Sequence, residues 1–171
     1  MPAVPSRRAL VALLVAAVYA AATTVLGIWS YGPIQLRASD AMLVLPLFPG
    51  IGLEAVAGLT LGGLLGNIAS PYQPWDLIFG PLSNFVVALT MLALSRPVRR
   101  FPGLFPLAAA AASLEVAILV GYLELVTIYG APIITVPLVF VGEMIAVLAL
   151  GGALVAFARR TGFPRPWNGR P

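Results

Sequence analysis

The sequence predicts an all-α integral membrane protein, a six-helix transmembrane bundle with a short or broken second helix. Three observations predict this class: 60% of the 171 residues are hydrophobic, 9% are charged, and the mean hydropathy is +0.99. The apolar runs reach the roughly 20 residues that a helix needs to cross a membrane. We therefore expect one domain over residues 1–160 and a flexible cytoplasmic tail over residues 161–171.

Six apolar segments separated by turn-forming residues make up the expected bundle. Their predicted bounds are Ala9–Ile28, Ala38–Phe48, Gly52–Ala69, Asp76–Leu94, Leu104–Val126 and Ile133–Ala158. The first segment follows two arginines, as a secretory signal would, but it is longer than a signal core and further spans follow it. The second is too short for an ordinary span and contains Pro46. Among the short connections between segments, Arg96-Pro97 is expected to end the fourth.

The arginines predict the orientation. With the N-terminus inside, nine of the ten basic residues fall on the inner side and only Arg37 falls outside. Because cytoplasmic loops carry the excess of positive residues, both termini are expected in the cytoplasm of a prokaryotic cell. Aromatic residues occupy the outer ends, either as an interfacial belt or as stacking surfaces for a flat ligand. They are Trp29, Tyr31, Tyr72, Trp75 and Tyr129.

The composition excludes several kinds of chemistry. The chain has no cysteine, histidine or lysine, so it cannot form a Ser-His-Asp triad, a thiolate or HExxH zinc site, or a Walker A motif. We expect neither an enzyme nor a metal or cofactor site. Topology explains the net charge of +4 better than nucleic-acid binding does.

All six acidic residues lie within or at the ends of apolar segments, where an ionisable group is by default a functional hypothesis. They are Asp40, Glu54, Asp76, Glu115, Glu124 and Glu143. Helix-end roles can account for Glu54 and Asp76. Glu115 shares a helix face with Tyr122, whereas Glu124 lies about half a turn away. Only one of these two glutamates can therefore face a given site unless the helix is distorted.

The remaining polar residues complete two patterns. Asn67, Ser83 and Asn84 join the acids in a predicted polar cavity that opens to the outside and lacks a nucleophile–base pair. The first helix carries small residues at a four-residue spacing, which lets another helix approach closely. They are Ala12, Ala16 and Ala20. The stripe serves either packing inside the bundle or docking to a separate membrane partner.

The segment after the first helix reads YGPIQLRASDAMLVLPLF and resembles the signature of the QueT family, a pattern like GPIQxRxSExLxxLP. Gly32–Gln35, Arg37, Ser39 and Pro46 stand in their places, and Asp40 replaces the expected glutamate. The resemblance extends along most of the chain. It includes the positions Gly66-Asn67, Trp75–Gly80 and Gly142-Glu143.

The resemblance implies an S component, the substrate-binding subunit of an energy-coupling-factor (ECF) transporter. Such a subunit works with a transmembrane T component and two ATPases, and the family's inferred substrates are queuosine precursors, which are 7-deazaguanine bases. The alanine stripe of Ala12, Ala16 and Ala20 would then be the surface that docks on the T component. The expected substrate-binding residues are Gln35, Arg37, Asp40, Asn67, Trp75, Asn84, Glu115, Tyr122, Glu124 and Glu143.

Three alternatives remain open at this point. The chain could serve as an S component for another vitamin that carries donors and a flat ring. It could be a stand-alone secondary transporter with Glu115, Glu124 or Glu143 as a proton site, although no internal repeat supports this. It could also be a non-transporting scaffold whose acids pair with arginines, but Arg37 alone cannot neutralise all the acids on the outer side.

Overall fold

The structure, a computed structural model, describes residues 6–32 and 35–163, and this part of the chain contains helices and no strand. The helices α1 to α7 span Arg7–Val25, Gly27–Ser30, Gly52–Gly66, Asp76–Arg100, Phe105–Val116, Thr135–Met144 and Gly152–Thr161. A 3₁₀ helix spans Ala38–Leu47, and two π-helical stretches, the first and second π segments, span Ala117–Val126 and Ile145–Gly151. Short 3₁₀ turns at Asn67–Ala69 and Pro102–Leu104 complete the elements. The tail predicted over residues 161–171 lies outside the described residues from position 164 onward.

Five stretches are long and apolar enough to cross a membrane, and the 3₁₀ helix is the shorter sixth apolar segment. The predicted class is therefore confirmed. The predicted end of the fourth segment was wrong, because α4 continues through Pro97 to Arg100. Proline is compatible with helical φ, so the helix can continue through Pro97 at the loss of the one hydrogen bond that an N–H there would donate to the Ala93 carbonyl. The Pro97 carbonyl in turn accepts from the Phe101 N–H at 2.8 Å.

The 3₁₀ helix runs through the interior of the bundle. Leu43, Val44 and Leu47 have no exposed side-chain surface and belong to the hydrophobic core. A 3₁₀ helix rises about 2.0 Å per residue, so ten residues extend about 20 Å where an α-helix would extend about 15 Å. The tighter winding lets a short segment reach further across the bundle. A β-carbon at Gly151 would lie 2.7 Å from Val44 Cγ1, so the second π segment packs directly on the 3₁₀ helix.

Small residues hold α1 and α3 close together. A β-carbon at Gly58 would lie 2.6 Å from the Ala12 carbonyl oxygen, and one at Gly62 would lie 3.0 Å from the Ala16 carbonyl oxygen. Ala16 itself is only 2% exposed, whereas Ala12 and Ala20 are partly exposed. Packing inside the bundle therefore accounts for the middle of the alanine stripe.

The two ends of the bundle differ in character. The starts of α1 and α3 and the end of α4 meet around Arg7, Arg8, Arg96 and Arg99, which define the arginine end. At the aromatic end, defined by Tyr31, Tyr72 and Tyr129, hydroxyl groups close the loops. The Tyr31 hydroxyl donates to the Gly66 carbonyl at 2.5 Å, and the Tyr129 hydroxyl donates to the Gln73 carbonyl at 3.1 Å.

Candidate functional site

A set of polar side chains occupies the bundle interior toward the aromatic end, and we call it the polar cluster. Its members come from all six apolar segments and from the stretch just before the second, and each is at most 5% exposed. They are Tyr19, Arg37, Asp40, Asn67, Asp76, Asn84, Glu124 and Glu143. Burial of polar and charged groups is unfavourable unless they are hydrogen-bonded or paired. So many such groups in one place indicate a binding site.

Tyr19 links the elements that surround the cluster. Its hydroxyl donates to Asp40 Oδ1 and lies 3.2 Å from Asn84 Oδ1. Asn84 Nδ2 donates in turn to the Leu59 carbonyl at 3.0 Å. The Asp40 and Glu143 carboxyl groups lie close together and interact with each other. These contacts fix α1, the 3₁₀ helix, α3, α4 and α6 relative to one another.

Arg37 is the only cation of the cluster. Its guanidinium interacts electrostatically with Asp40, Asp76 and Glu124, and its Cζ lies 5.8 Å from the centre of the Tyr31 ring. Within the described residues it forms no ion pair shorter than 4.0 Å, so no single acid neutralises it. The cluster thus contains four acidic side chains and one basic side chain.

Several buried atoms of the cluster have no hydrogen-bond partner among the described residues. They are Arg37 Nη2, Asn67 Oδ1, both carboxylate oxygens of Asp76 and of Glu124, and Glu143 Oε1. Buried polar atoms in folded proteins are nearly always hydrogen-bonded, to protein, water or a ligand. Most of the unpartnered atoms here are acceptors, which suits a ligand rich in N–H donors. No group of three or more acids in the described chain is arranged to hold a metal ion.

Two π segments lie next to the acids of the cluster. Glu124 lies in the first π segment, and the second begins two residues after Glu143. Short π-helical insertions change the direction of the side chains that follow and occur often at functional sites. Glu124 is fully buried in the cluster, whereas Glu115 accepts a hydrogen bond from Thr90 Oγ1 at 2.7 Å on a half-buried face. The structure therefore brings Glu124, and not Glu115, to the other acids.

The sequence model of the QueT transporter family matches residues 9–160, nearly the whole chain. The chain belongs to the QueT transporter family. No curated protein and no solved structure gives a significant match. Family membership and five membrane-length apolar helices make it a multi-pass transporter protein of the cell membrane.

The QueT signature supplies the centre of the cluster. Arg37 and Asp40 come from it, and Ser39 Oγ accepts a hydrogen bond from Thr23 Oγ1 at 2.7 Å. Gln35 is buried and has a φ of +48°, a strained value for a residue with a side chain, and such values concentrate at ligand sites. Pro33 and Ile34 of the signature lie outside the described residues.

The structure groups some of the predicted substrate-binding residues and leaves others apart. The polar cluster contains Arg37, Asp40, Asn67, Asn84, Glu124 and Glu143 from the predicted set. Trp75 and Tyr122 are 41% and 45% exposed and lie outside the cluster, as does Glu115. The part of all ten predicted residues in substrate binding, inside and outside the cluster, stays a prediction.

Two residues of the cluster were missing from the predicted set. Tyr19 lies in the middle of an alanine-rich span, and a phenol at membrane depth is a signal that the sequence does carry. Asp76 lies in the first turn of α4, as the predicted helix-end role requires, but its carboxylate oxygens make no capping bond and it is 1% exposed. The side chain of Glu54, considered a helix-end residue, pairs with Arg8 at 3.5 Å.

Proposed function

We propose that this QueT family member is the S component of an ECF-type importer and captures a 7-deazaguanine base, a queuosine precursor. A transmembrane T component and two ATPases would complete the transporter. The observation that carries the proposal is the polar cluster, whose buried carboxylates include the unpartnered oxygens of Asp76, Glu124 and Glu143. Family membership establishes transport, and the substrate and the assembly are what the proposal adds.

The chemistry of a 7-deazaguanine base matches the unpartnered atoms. Its guanine-like edge presents two N–H donors that one carboxylate accepts together, and Glu124 has both oxygens unpartnered. Its carbonyl oxygen can accept from Arg37 Nη2. An aminomethyl substituent is cationic and would be attracted to the Asp40–Glu143 pair. With four acids against one arginine, we expect the cationic aminomethyl base to bind better than a neutral analogue of the same ring.

The absence of lysine from the chain supports a division of labour among subunits. Without a Walker A lysine, the chain lacks the motif that holds ATP phosphates in P-loop ATPases. ATP-driven uptake would then depend on separate ATPase subunits. The proposed orientation places both termini in the cytoplasm and the aromatic end outside, on the strength of the arginine distribution.

A thermal-shift screen of the purified protein tests the substrate. Ligand binding raises apparent stability by RT ln(1 + [L]/Kd), so the panel should include aminomethyl and nitrile 7-deazaguanines, guanine, thiamine, riboflavin and biotin. We expect the largest stabilisation from aminomethyl 7-deazaguanine. Stabilisation by one of the vitamins alone would assign the protein to a different substrate and contradict this part of the proposal.

A proton-coupled secondary transporter is the second candidate, and the two neighbouring buried acids Asp40 and Glu143 favour it. Vesicle uptake separates the two candidates. Proteoliposomes with the chain alone and an imposed proton gradient are compared with proteoliposomes that also contain a T component, its ATPases and ATP. We expect uptake only in the second case; gradient-driven uptake by the chain alone would support the secondary transporter.

A further inference from the structure

A cavity of about 620 Å³ opens at the arginine end, between the starts of α1 and α3 and the end of α4. Its charged lining consists of Arg7, Arg8, Glu54, Arg96 and Arg99. None of these residues belongs to the polar cluster, and substrate capture does not use them. The cavity therefore needs its own explanation.

The charges of the cavity do not balance. Four arginines and one glutamate leave three net positive charges. Arg8 Nε pairs with Glu54 Oε1 at 3.5 Å, and Arg99 Nη1 donates to the Leu47 carbonyl at 2.9 Å. Arg7 and Arg96 form no ion pair in the part of the chain that the structure describes. An anion placed between them would offset like-charge repulsion.

Helix ends add to the positive potential of the cavity. The first turn of α1 carries two arginines and no acid, although the N-terminus of a helix is the positive end of its dipole. The N-terminus of α3, at Gly52, also lines the cavity. The negative end of the α4 dipole favours the arginines of its own last turn, Arg99 and Arg100, but it does not account for Arg7 and Arg8.

Apart from Ser95, the rest of the lining is apolar, and the apolar surface continues outside the cavity. Val11, Leu53 and Leu92 lie beside the arginines. Leu53 is 68% exposed and Leu10 is 49% exposed, so apolar side chains extend from the cavity along α1 and α3. The cavity lies where several apolar spans end, which is the level of lipid headgroups. Basic pockets between transmembrane helices bind anionic headgroups at this level.

We propose that this cavity binds the phosphate headgroup of an anionic phospholipid, whose acyl chains lie along the exposed apolar faces of α1 and α3. Arg7 and Arg96 contact the phosphate from two helices. A free phosphate ion would use the arginines but would not cover Leu53 of the lining or the adjoining Leu10, both of which are exposed. The proposal goes beyond transport and does not depend on the identity of the substrate.

Native mass spectrometry of the detergent-purified protein tests this site. The protein is titrated with phosphatidylglycerol or phosphatidylcholine of identical acyl chains, and the bound lipid is counted. We expect phosphatidylglycerol to bind about tenfold or more tightly, and Arg7→Gln with Arg96→Gln to remove the preference. The matched control, Arg100→Gln with Arg160→Gln, removes two exposed arginines at the same end that do not line the cavity. This variant should keep the preference for phosphatidylglycerol.

Each other outcome overturns the proposal. If the control variant lost the preference for phosphatidylglycerol to the same extent, the total positive charge of the protein alone would attract the lipid. Equal binding of both lipids by the unchanged protein would remove the headgroup site, and displacement of phosphatidylglycerol by millimolar inorganic phosphate would assign the cavity to a free anion. If the double variant does not fold, two single variants at the exposed Arg96 replace it. Arg96→Lys should keep the preference for phosphatidylglycerol, and Arg96→Gln should weaken it.

Discussion

At the scale of single residues, the candidate site depends on acids that share a small buried volume with one arginine. Asp40 and Glu143 are in contact, while Asp76 and Glu124 interact with Arg37 from a distance. Removal of one charge from such a group should change ligand affinity more than it changes folding, because several of the carboxylate oxygens have no protein partner to lose.

The first prediction concerns Glu143. Glu143→Gln should weaken binding of aminomethyl 7-deazaguanine about tenfold or more, because it replaces a charge-assisted hydrogen bond by a neutral one. Calorimetric titration of the purified protein measures the change. Glu54→Gln makes the same substitution at the arginine end, outside the cluster, and the affinity of this variant should stay within about twofold of that of the unchanged protein. Unchanged affinity in Glu143→Gln would remove this residue from the site.

The second prediction concerns Tyr19. Tyr19→Phe removes the hydroxyl that lies between Asp40 and Asn84 and leaves both acceptors with fewer donors. We expect a loss of about 1–3 kcal/mol in the free energy of unfolding and a weaker affinity for the base. Tyr122→Phe changes an exposed phenol outside the cluster and should leave the free energy of unfolding unchanged. Denaturation measures the free energy of unfolding of both variants, and ligand titration measures their affinity for the base. If Tyr19→Phe were as stable as Tyr122→Phe and bound the base as tightly, the Tyr19 hydroxyl would be dispensable.

At the scale of elements, the sequence was sufficient for the long helices and insufficient for the irregular ones. Long apolar runs bounded by Gly and Pro predict spans directly. The short run from Ala38 predicted a broken helix, but its 3₁₀ winding depends on the helices that surround it. Pro97 suggested an end to α4 that the structure does not show, because proline is compatible with helical φ and its missing N–H removes only one helix hydrogen bond.

The candidate site shows the same limit more sharply. The QueT signature and the positions of the acids are enough to predict Arg37, Asp40 and Glu143 as site residues. Hydrophobic periodicity does not show which of Glu115 and Glu124 faces the cluster. Glu124 lies in the first π segment, whose winding differs from that of the α-helix before it. A π-helical stretch has no signal in hydrophobic periodicity. Tyr19 was not predicted, because the alanines on either side of it suggested only helix packing or docking.

The third prediction separates packing from docking on α1. Ala16→Leu inserts a larger side chain where α1 meets α3 and should destabilise the bundle by about 1–3 kcal/mol. Ala17→Leu places the same side chain on the exposed face of α1 and should leave stability unchanged. If α1 docks on a T component through this face, Ala17→Leu should also reduce ATP-dependent uptake while ligand affinity is kept. Thermal unfolding, ligand titration and uptake measure the three effects.

Ala20→Leu tests the alanine stripe at a partly exposed position. If its uptake falls while stability and affinity stay normal, the stripe contributes to docking. Normal uptake in both the Ala17 and Ala20 variants would leave the small residues of α1 with a packing role only.

At the scale of the whole molecule, the two ends of the bundle have opposite chemistry. The arginine end concentrates positive charge around a cavity, and the aromatic end closes its loops with tyrosine hydroxyls above the buried acids. The proposed importer needs its binding site to open to the outside, and the positive-inside tendency predicts that the arginine end lies in the cytoplasm. The two requirements agree on one orientation.

The absence of cysteine makes this orientation directly testable. Ile133→Cys introduces a thiol at the aromatic end, where the side chain is 66% exposed, and Phe163→Cys introduces one after α7, where it is 65% exposed. We expect a membrane-impermeant maleimide added to intact cells to label only the Ile133 variant, and both variants to be labelled after the membrane is permeabilised. Labelling of the Phe163 variant alone in intact cells would invert the bundle, and the buried acids would then face the cytoplasm, where an importer would release its substrate rather than capture it.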